Sequence, residues 1–290
     1  MRVLSGKTLS ETIAQETREA VAALAASGAA PVLAVIRVGD DPATEVYVRN
    51  KHRAAERVGI ASREVHLGAE ASQQELEATV SGFNDDPAVN GILCQLPLPA
   101  GLDAGRITRL IDPRKDVDCF HPENFGLMAM GTPRFLPCTP AGVMEILRRG
   151  EIALAGRRVV VIGRSNLVGR PLALLLTHAG ADATVTICHS KTLDLPQIAR
   201  SAEVLVTAIG RPEFVNAEMV GEGAVVIDVG IHQVPDAGRK SGYRLCGDVD
   251  QAAVAHLVSA ITPVPGGVGP MTIAMLLRNT VQAARLQRGG

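Results

Sequence analysis

Short apolar, β-branched runs alternate with helix-patterned segments along the chain, and this alternation restricts the fold more than any other feature. Strand-like runs fall at residues 31–37, 63–67 and 89–95, and again at 158–162, 184–188, 204–208 and 224–229. Helical patterns occupy 10–26, 41–58, 72–84, 102–111, 141–149, 171–178, 193–201 and 271–287. Parallel strands need a crossover, and a helix between each pair supplies it. The expectation is therefore an α/β protein with parallel sheets. Local signals agree with the period. Asp41 and Pro42 form a cap and a first-turn proline, Gly59 is a stop, and Ser72 with Glu75 form a capping box.

Length and proline content divide the chain. Its 290 residues suit one large or two modest domains. Residues 112–139 carry Pro113, Pro122, Pro133 and Pro137 with Gly126 and Gly131, a long connection of the kind that links or functions. The boundary is placed near Pro140, giving domains 1–139 and 140–270. The helix over 271–290 is expected to pack back on the first domain.

Composition excludes several partners. A net charge of −1, with 2 Tyr, 5 Phe and no Trp, offers neither a basic surface nor stacking platforms for nucleic acid. No apolar run is long enough to span a bilayer, and the first residues turn polar too early for a signal peptide. Five cysteines, an odd number without CxxC spacing, point to reduced thiols in a cytoplasmic protein rather than a disulfide frame or a zinc site.

Chemistry-bearing residues gather in a few stretches. Tyr47 and Lys51, four apart, share one face of the helix over 41–58. They are either an acid–base pair or a surface tyrosine beside a solvated lysine. Gln95 ends a strand, where ligands of open α/β sheets lie, and a glutamine capping a turn reads equally well. Asp118, in Lys115-Asp116-Val117-Asp118, could grip the amidine-like edge of a heterocycle, or be a solvated loop acid. Gly266 and Gly267, in PVPGGVGP, permit close approach of backbone to a ligand or form a rigid connector. GRSNLVGRP, residues 163–171, lies between a strand and a helix, the order needed for phosphate binding, although Ser165 replaces the second glycine of the usual pattern. The next strand ends in His189-Ser190-Lys191 rather than an acid, and Arg164 follows Gly163. A cation and hydroxyls suit a ribose phosphate, so NADP is preferred to NAD.

Taken together, VGDDPATEVYVRNKHRAAERVGI, GILCQLPLP, KDVDCFHPENFG, PCTPAGV, VVVIGRSNLVGRPLALLL, ATVTICHSKT, VLVTAIGRPEFV, AVVIDVGI, GDVD and ITPVPGGVGPMTIAMLLRNT closely resemble the bifunctional methylenetetrahydrofolate dehydrogenase/methenyltetrahydrofolate cyclohydrolase family. The resemblance runs almost end to end. It implies two α/β domains flanking a cleft, the second a Rossmann-like NADP-binding domain, and a homodimer. It implies oxidation of 5,10-methylene-tetrahydrofolate with NADP, then hydrolysis of the methenyl product to 10-formyl-tetrahydrofolate. By the resemblance Lys51 is catalytic, Tyr47 its partner, Gln95 the residue that tunes it, and Asp118 the pterin anchor. Gly163, Arg164, Ser165, Ser190 and Ile231 fall on the cofactor contacts. Pro265, Gly266 and Gly267 are candidate substrate contacts. Thr44, Arg53 and Cys119 depart from the usual serine, lysine and glycine, and Cys119 stands directly beside the pterin anchor.

Overall fold

The computed structural model describes residues 1–239 and 242–288. In chain order its elements are β1 (Arg2–Val3), α1 (Gly6–Ala26), β2 (Val32–Val38), α2 (Pro42–Val58), β3 (Ala61–Leu67), α3 (Gln73–Asp85), β4 (Gly91–Cys94), α4 (Ala104–Leu110), α5 (Pro122–Ala129) and α6 (Cys138–Arg149). There follow β5 (Arg158–Ile162), α7 (Gly169–Thr177), β6 (Thr184–Cys188), α8 (Leu195–Arg200), β7 (Val204–Thr207), a 3-10 turn (Ala217–Met219), β8 (Val225–Asp228), β9 (His232–Pro235), β10 (Tyr243–Cys246), α9 (Gln251–Val254), β11 (Ala260–Ile261) and α10 (Val268–Leu286).

The chain forms two compact units. One comprises Glu11–Cys138 together with the chain from Ile273 onward. Its sheet is parallel, in the order β3-β2-β4. The central strand β2 reads VLAVIRV and is buried almost throughout, as a parallel strand covered on both faces requires. Ala34, Ile36, Leu76, Val80, Ile92 and Ile107 make one of its cores, each large side chain contributing about 1.5–3 kcal/mol by burial. α2 starts where Asp41 accepts a hydrogen bond from the Thr44 amide and ends at Gly59, whose φ of 83° is the left-handed stop that glycine favours. The capping box of Ser72 and Glu75 opens α3. Residues 112–139 are not structureless: α5 lies within them, started by His121 and Pro122. Prolines mask it in the sequence, because a first-turn proline reads locally as a breaker. The later part of α10 is tied to this unit by Gln287, whose amide donates to the Asn90 carbonyl at 2.9 Å.

The other unit comprises Met1–Ser10 and Thr139–Thr272. Its six-stranded sheet runs β1-β11-β8-β7-β5-β6, with every neighbouring pair parallel. The first residues join it because the Arg2 and Leu4 amides donate to the Ser259 and Ile261 carbonyls at 2.7 and 2.8 Å. Two-residue strands such as β1 and β11 have no period to read in sequence. β9 and β10 pair antiparallel, apart from the main sheet. Val160, Ile162, Leu205, Val226 and Ile261 lie in the core of this unit.

Candidate active site

α2 follows β2, and Gln95 follows β4, so both emerge from the carboxyl ends of adjacent parallel strands. That register brings the helix face to the glutamine. Lys51 is 4% exposed, and its Nζ donates to Gln95 Oε1 at 2.7 Å. The glutamine is itself oriented, since its Nε2 donates to the Leu96 carbonyl at 2.6 Å and so turns its oxygen toward the lysine. Tyr47 lies one turn back on α2, its ring centroid 4.6 Å from the ammonium. Burial lowers the Lys51 pKa below the ordinary lysine value, while the Asp118 carboxylate and Cys138 oppose the shift. Lys51 is thus a buried lysine rather than a solvated one.

Asp118 is presented by a loop held from within. The Asp116 carboxylate is buried and accepts from the His121 amide at 2.8 Å, the Phe120 amide at 3.2 Å and Asn124 Nδ2 at 2.8 Å. Burial, ahead of these bonds, raises the Asp116 pKa. Cys119 takes φ 60°, the left-handed region that favours glycine. Its buried thiol donates to the Phe135 carbonyl at 3.3 Å. The loop therefore keeps a glycine-type conformation with a cysteine in it. A concavity beside Asp118 is walled by Ile92, Cys94, Leu96, Ile107 and Phe120, apolar surface next to the Asp116 and Asp118 side chains. Burial pushes the Cys94 thiol up to about 12 and Cys138 well above its ordinary value, so neither is a nucleophile at neutral pH.

The remaining candidates belong to the other unit. Gly163 ends the loop side of β5 with φ 130°, and a Cβ there would lie 2.2 Å from the Ala208 carbonyl oxygen. A Cβ on Gly169 would lie 2.1 Å from the Gly163 oxygen, so the turn closes only with glycine at both positions. The Ser165 hydroxyl accepts from the Val168 amide at 3.1 Å, while α7 has no side-chain cap. The close-packed glycine turn at the amino end of α7 fits a phosphate, with the Val168 and Arg170 amides already bonded to Ser165 and Pro171 lacking an N–H. Ser190 and Lys191 are exposed in the turn after β6, which the Thr192 hydroxyl holds by accepting from the His189 amide at 2.8 Å. Arg164 is exposed beyond the neighbouring strand β5, so the residues present fit the phosphates of a dinucleotide. Ile231, 60% exposed, follows β8. Pro265 and Gly266 precede α10, and Gly266 at φ 102° accepts from the Lys7 amide at 2.8 Å. Gly267 packs where a Cβ would lie 2.5 Å from the Pro263 oxygen.

One cluster was missed by sequence reasoning. Asp248, fully buried, accepts from the Ile209, Gly210 and Arg211 amides at 2.6, 3.1 and 3.0 Å and contacts His232 Nε2 at 2.8 Å. Asp228 beside it accepts from the Asp248, Val249 and Gly230 amides, and burial raises it to about 6. These acids tie the loop after β7 to the strand after Ile231. The only sequence signal was the pair of acids in VIDVG and GDVD.

A parallel sheet with a glycine turn at a helix amino end, and a separate α/β unit carrying a buried lysine, define a two-domain nucleotide-dependent enzyme. Two family models match: the tetrahydrofolate dehydrogenase/cyclohydrolase catalytic domain over residues 4–118 and the NAD(P)-binding domain of the same family over 137–288. The chain is 53% identical over 289 residues to the bifunctional protein FolD of Treponema pallidum (strain Nichols), covering 99% of this chain and 92% of that one. Among solved structures it is similar to the bifunctional FolD methylenetetrahydrofolate dehydrogenase/cyclohydrolase of Campylobacter jejuni, at 47% identity and TM-score 0.93 over 99% of both chains. It is also similar to the Trypanosoma brucei enzyme complexed with NADP and an inhibitor, at 39% identity and TM-score 0.94, over 99% of this chain and 98% of that one. The chain belongs to the tetrahydrofolate dehydrogenase/cyclohydrolase family. It carries both activities: 5,10-methylene-tetrahydrofolate is oxidised to the methenyl form, which is hydrolysed to 10-formyl-tetrahydrofolate.

Proposed function

We propose that Lys51 is the acid–base residue of the hydrolytic step, that Tyr47 and Gln95 hold it, and that Asp118 anchors the pterin. The observation that carries this reading is the buried Lys51 ammonium, hydrogen-bonded to Gln95 at 2.7 Å and packed on the Tyr47 ring. The catalytic, folate-binding domain is assigned to 1–139 with the helix over 271–290, less residues 1–10, which lie in the other unit. The cofactor domain is assigned to 140–270, and the strand β1 supplied by the first residues completes its sheet.

The cofactor is NADP. Gly163, Arg164, Ser165 and Ser190 would hold its phosphates and ribose, and Ile231 would line its site; support comes from exposed Ser190 and Lys191 after β6, where an NAD site would carry an acid, and from exposed Arg164 beside the glycine turn. NADP, when bound, accepts the hydride. The protein's part in that step is orientation, because the folate nitrogens stabilise the cation that forms. Pro265, Gly266 and Gly267 are assigned as backbone contacts to substrate.

Hydrolysis makes larger demands on the side chains. Water adds to the methenyl carbon of the cation and loses a proton. A ring nitrogen then leaves with a proton, and the balance is one formyl product and one proton released. A lysine whose pKa is lowered by burial exchanges that proton more readily near neutral pH than a solvated one. Asp118 meets the amidine edge of the pterin through two parallel hydrogen bonds. Replacing Asp118 by Asn removes the charged acceptor and is expected to raise the folate KM by about 10- to 100-fold with NADP binding unchanged. An unchanged folate KM would remove the anchor assignment.

The protein acts in the cytoplasm as a homodimer. Five free, buried cysteines suit a reducing compartment. The dimer rests on the family resemblance, and sedimentation equilibrium tests it.

A further inference from the structure

The motif that closes the chain, ITPVPGGVGPMTIAMLLRNT, contains one side chain with a task the mechanism above leaves unassigned. Asn279 lies on α10. Its Nδ2 donates to the Val117 carbonyl at 2.8 Å and to the Leu136 carbonyl at 2.8 Å, and lies 3.7 Å from Cys138 Sγ. Both amide protons are thus used on two separate stretches of the long connection. Val117 immediately precedes Asp118, and Leu136 lies two residues before Cys138. Cys138 in turn donates its thiol to the same Val117 carbonyl at 3.4 Å. Val117 is buried, so its carbonyl has little water to replace a lost donor, while Leu136 is half-buried.

The loop is fixed from its other side by Asp116, which gathers the Phe120 and His121 amides and Asn124. Asp118 therefore sits between two clamps. One, made by Asp116, sets the turn that follows it. The other, made by Asn279, sets the peptide that precedes it.

We infer that Asn279 is a positioning residue for folate: by holding the Val117 and Leu136 carbonyls it fixes the direction in which Asp118 meets the pterin. The inference rests on Asp118 being the pterin anchor. Asparagine is suited to it because one planar nitrogen can bridge two carbonyls, whereas an acid would repel them.

The test is a double-mutant cycle on the full-length enzyme, using Asn279→Ala, Asp118→Asn and the double variant. Readouts are folate KM, kcat, NADP Kd by fluorescence titration, and Tm. Asn279→Ala is expected to raise folate KM about tenfold with NADP Kd unchanged. Combined with Asp118→Asn it is expected to add almost nothing to the folate KM, because its effect passes through that carboxylate. Full additivity, or an unchanged folate KM in a folded Asn279→Ala protein, overturns the inference. If Asp118→Asn alone leaves folate KM unchanged while Asn279→Ala raises it, the anchor reading fails and the inference falls with it. Should Asn279→Ala fail to fold, Asn279→Ser, which keeps one donor, carries the same cycle. Asn279→Asp is expected to be worse than Asn279→Ala on folate KM, and the reverse order also overturns the inference.

Discussion

Lys51 Nζ and Gln95 Oε1 are 2.7 Å apart, and the glutamine is locked by its own bond to the Leu96 carbonyl. The lysine thus meets a neutral acceptor in a buried place. A carboxylate there would favour the ammonium. Gln95→Glu is therefore expected to raise the Lys51 pKa and move the limb of the cyclohydrolase pH–rate profile that needs neutral lysine toward alkaline pH. An unshifted profile would show that Gln95 does not tune the lysine.

The buried ammonium also has a stability signature. The folded pKa of Lys51 lies below its unfolded value, so the unfolded state binds more protons between the two. The cost of burying the charge is present in full below the folded pKa and fades as pH rises through the unfolded value. Lys51→Met is expected to be about 1 kcal/mol more stable than wild type at pH 7, with the gap shrinking toward pH 10.5. Urea denaturation across pH checks the sign, and a gap that widens with pH would contradict it.

Cys119 holds φ 60° with a fully buried side chain. Two effects oppose each other there. Glycine relieves a left-handed strain of about 1–2 kcal/mol but loses the thiol contact and gains unfolded-state entropy. Alanine loses the contact and keeps the strain. Cys119→Ala is expected to be destabilised by about 1–2 kcal/mol, and Cys119→Gly to stay within about 1 kcal/mol of wild type. The reverse order in equilibrium unfolding would show that the left-handed backbone is not what selects the residue.

Asp248 gathers three backbone amides and His232. Asp248→Ala removes the shared acceptor of these part-buried donors, at about 1 kcal/mol each before water and relaxation replace it. The loop at 209–211 is expected to loosen, with NADP Kd rising at least about tenfold and folate affinity in the other unit less affected. Equal loss of both affinities would mean global unfolding rather than a local loop effect.

The helix–strand rhythm was legible because its elements are long and periodic. α2 runs over Pro42–Val58 and β5 over Arg158–Ile162, both as the sequence indicates. β1, β11 and the β9–β10 pair were not legible, since two-residue strands have no period and HQVP and YRLC lack the continuous apolar run that marks the equally short β4, β7 and β8. The Tyr47–Lys51 pair was legible as neighbours, but its burial was not. That depends on β4 delivering Gln95 beside α2, a relation between parallel strands. The folate substrate entered through resemblance, because spacing alone names no ligand. Cys119 sits on a left-handed backbone that favours glycine, which the sequence could state only as a departure from the resembled pattern.

The most direct test of the account is Lys51→Met with the two reactions followed separately, NADPH formation for dehydrogenation and decay of methenyl absorbance for hydrolysis. Hydrolysis is expected to fall by about 10²–10⁴-fold while hydride transfer falls by less than about tenfold. Retention of full cyclohydrolase activity, with the protein folded, would contradict it.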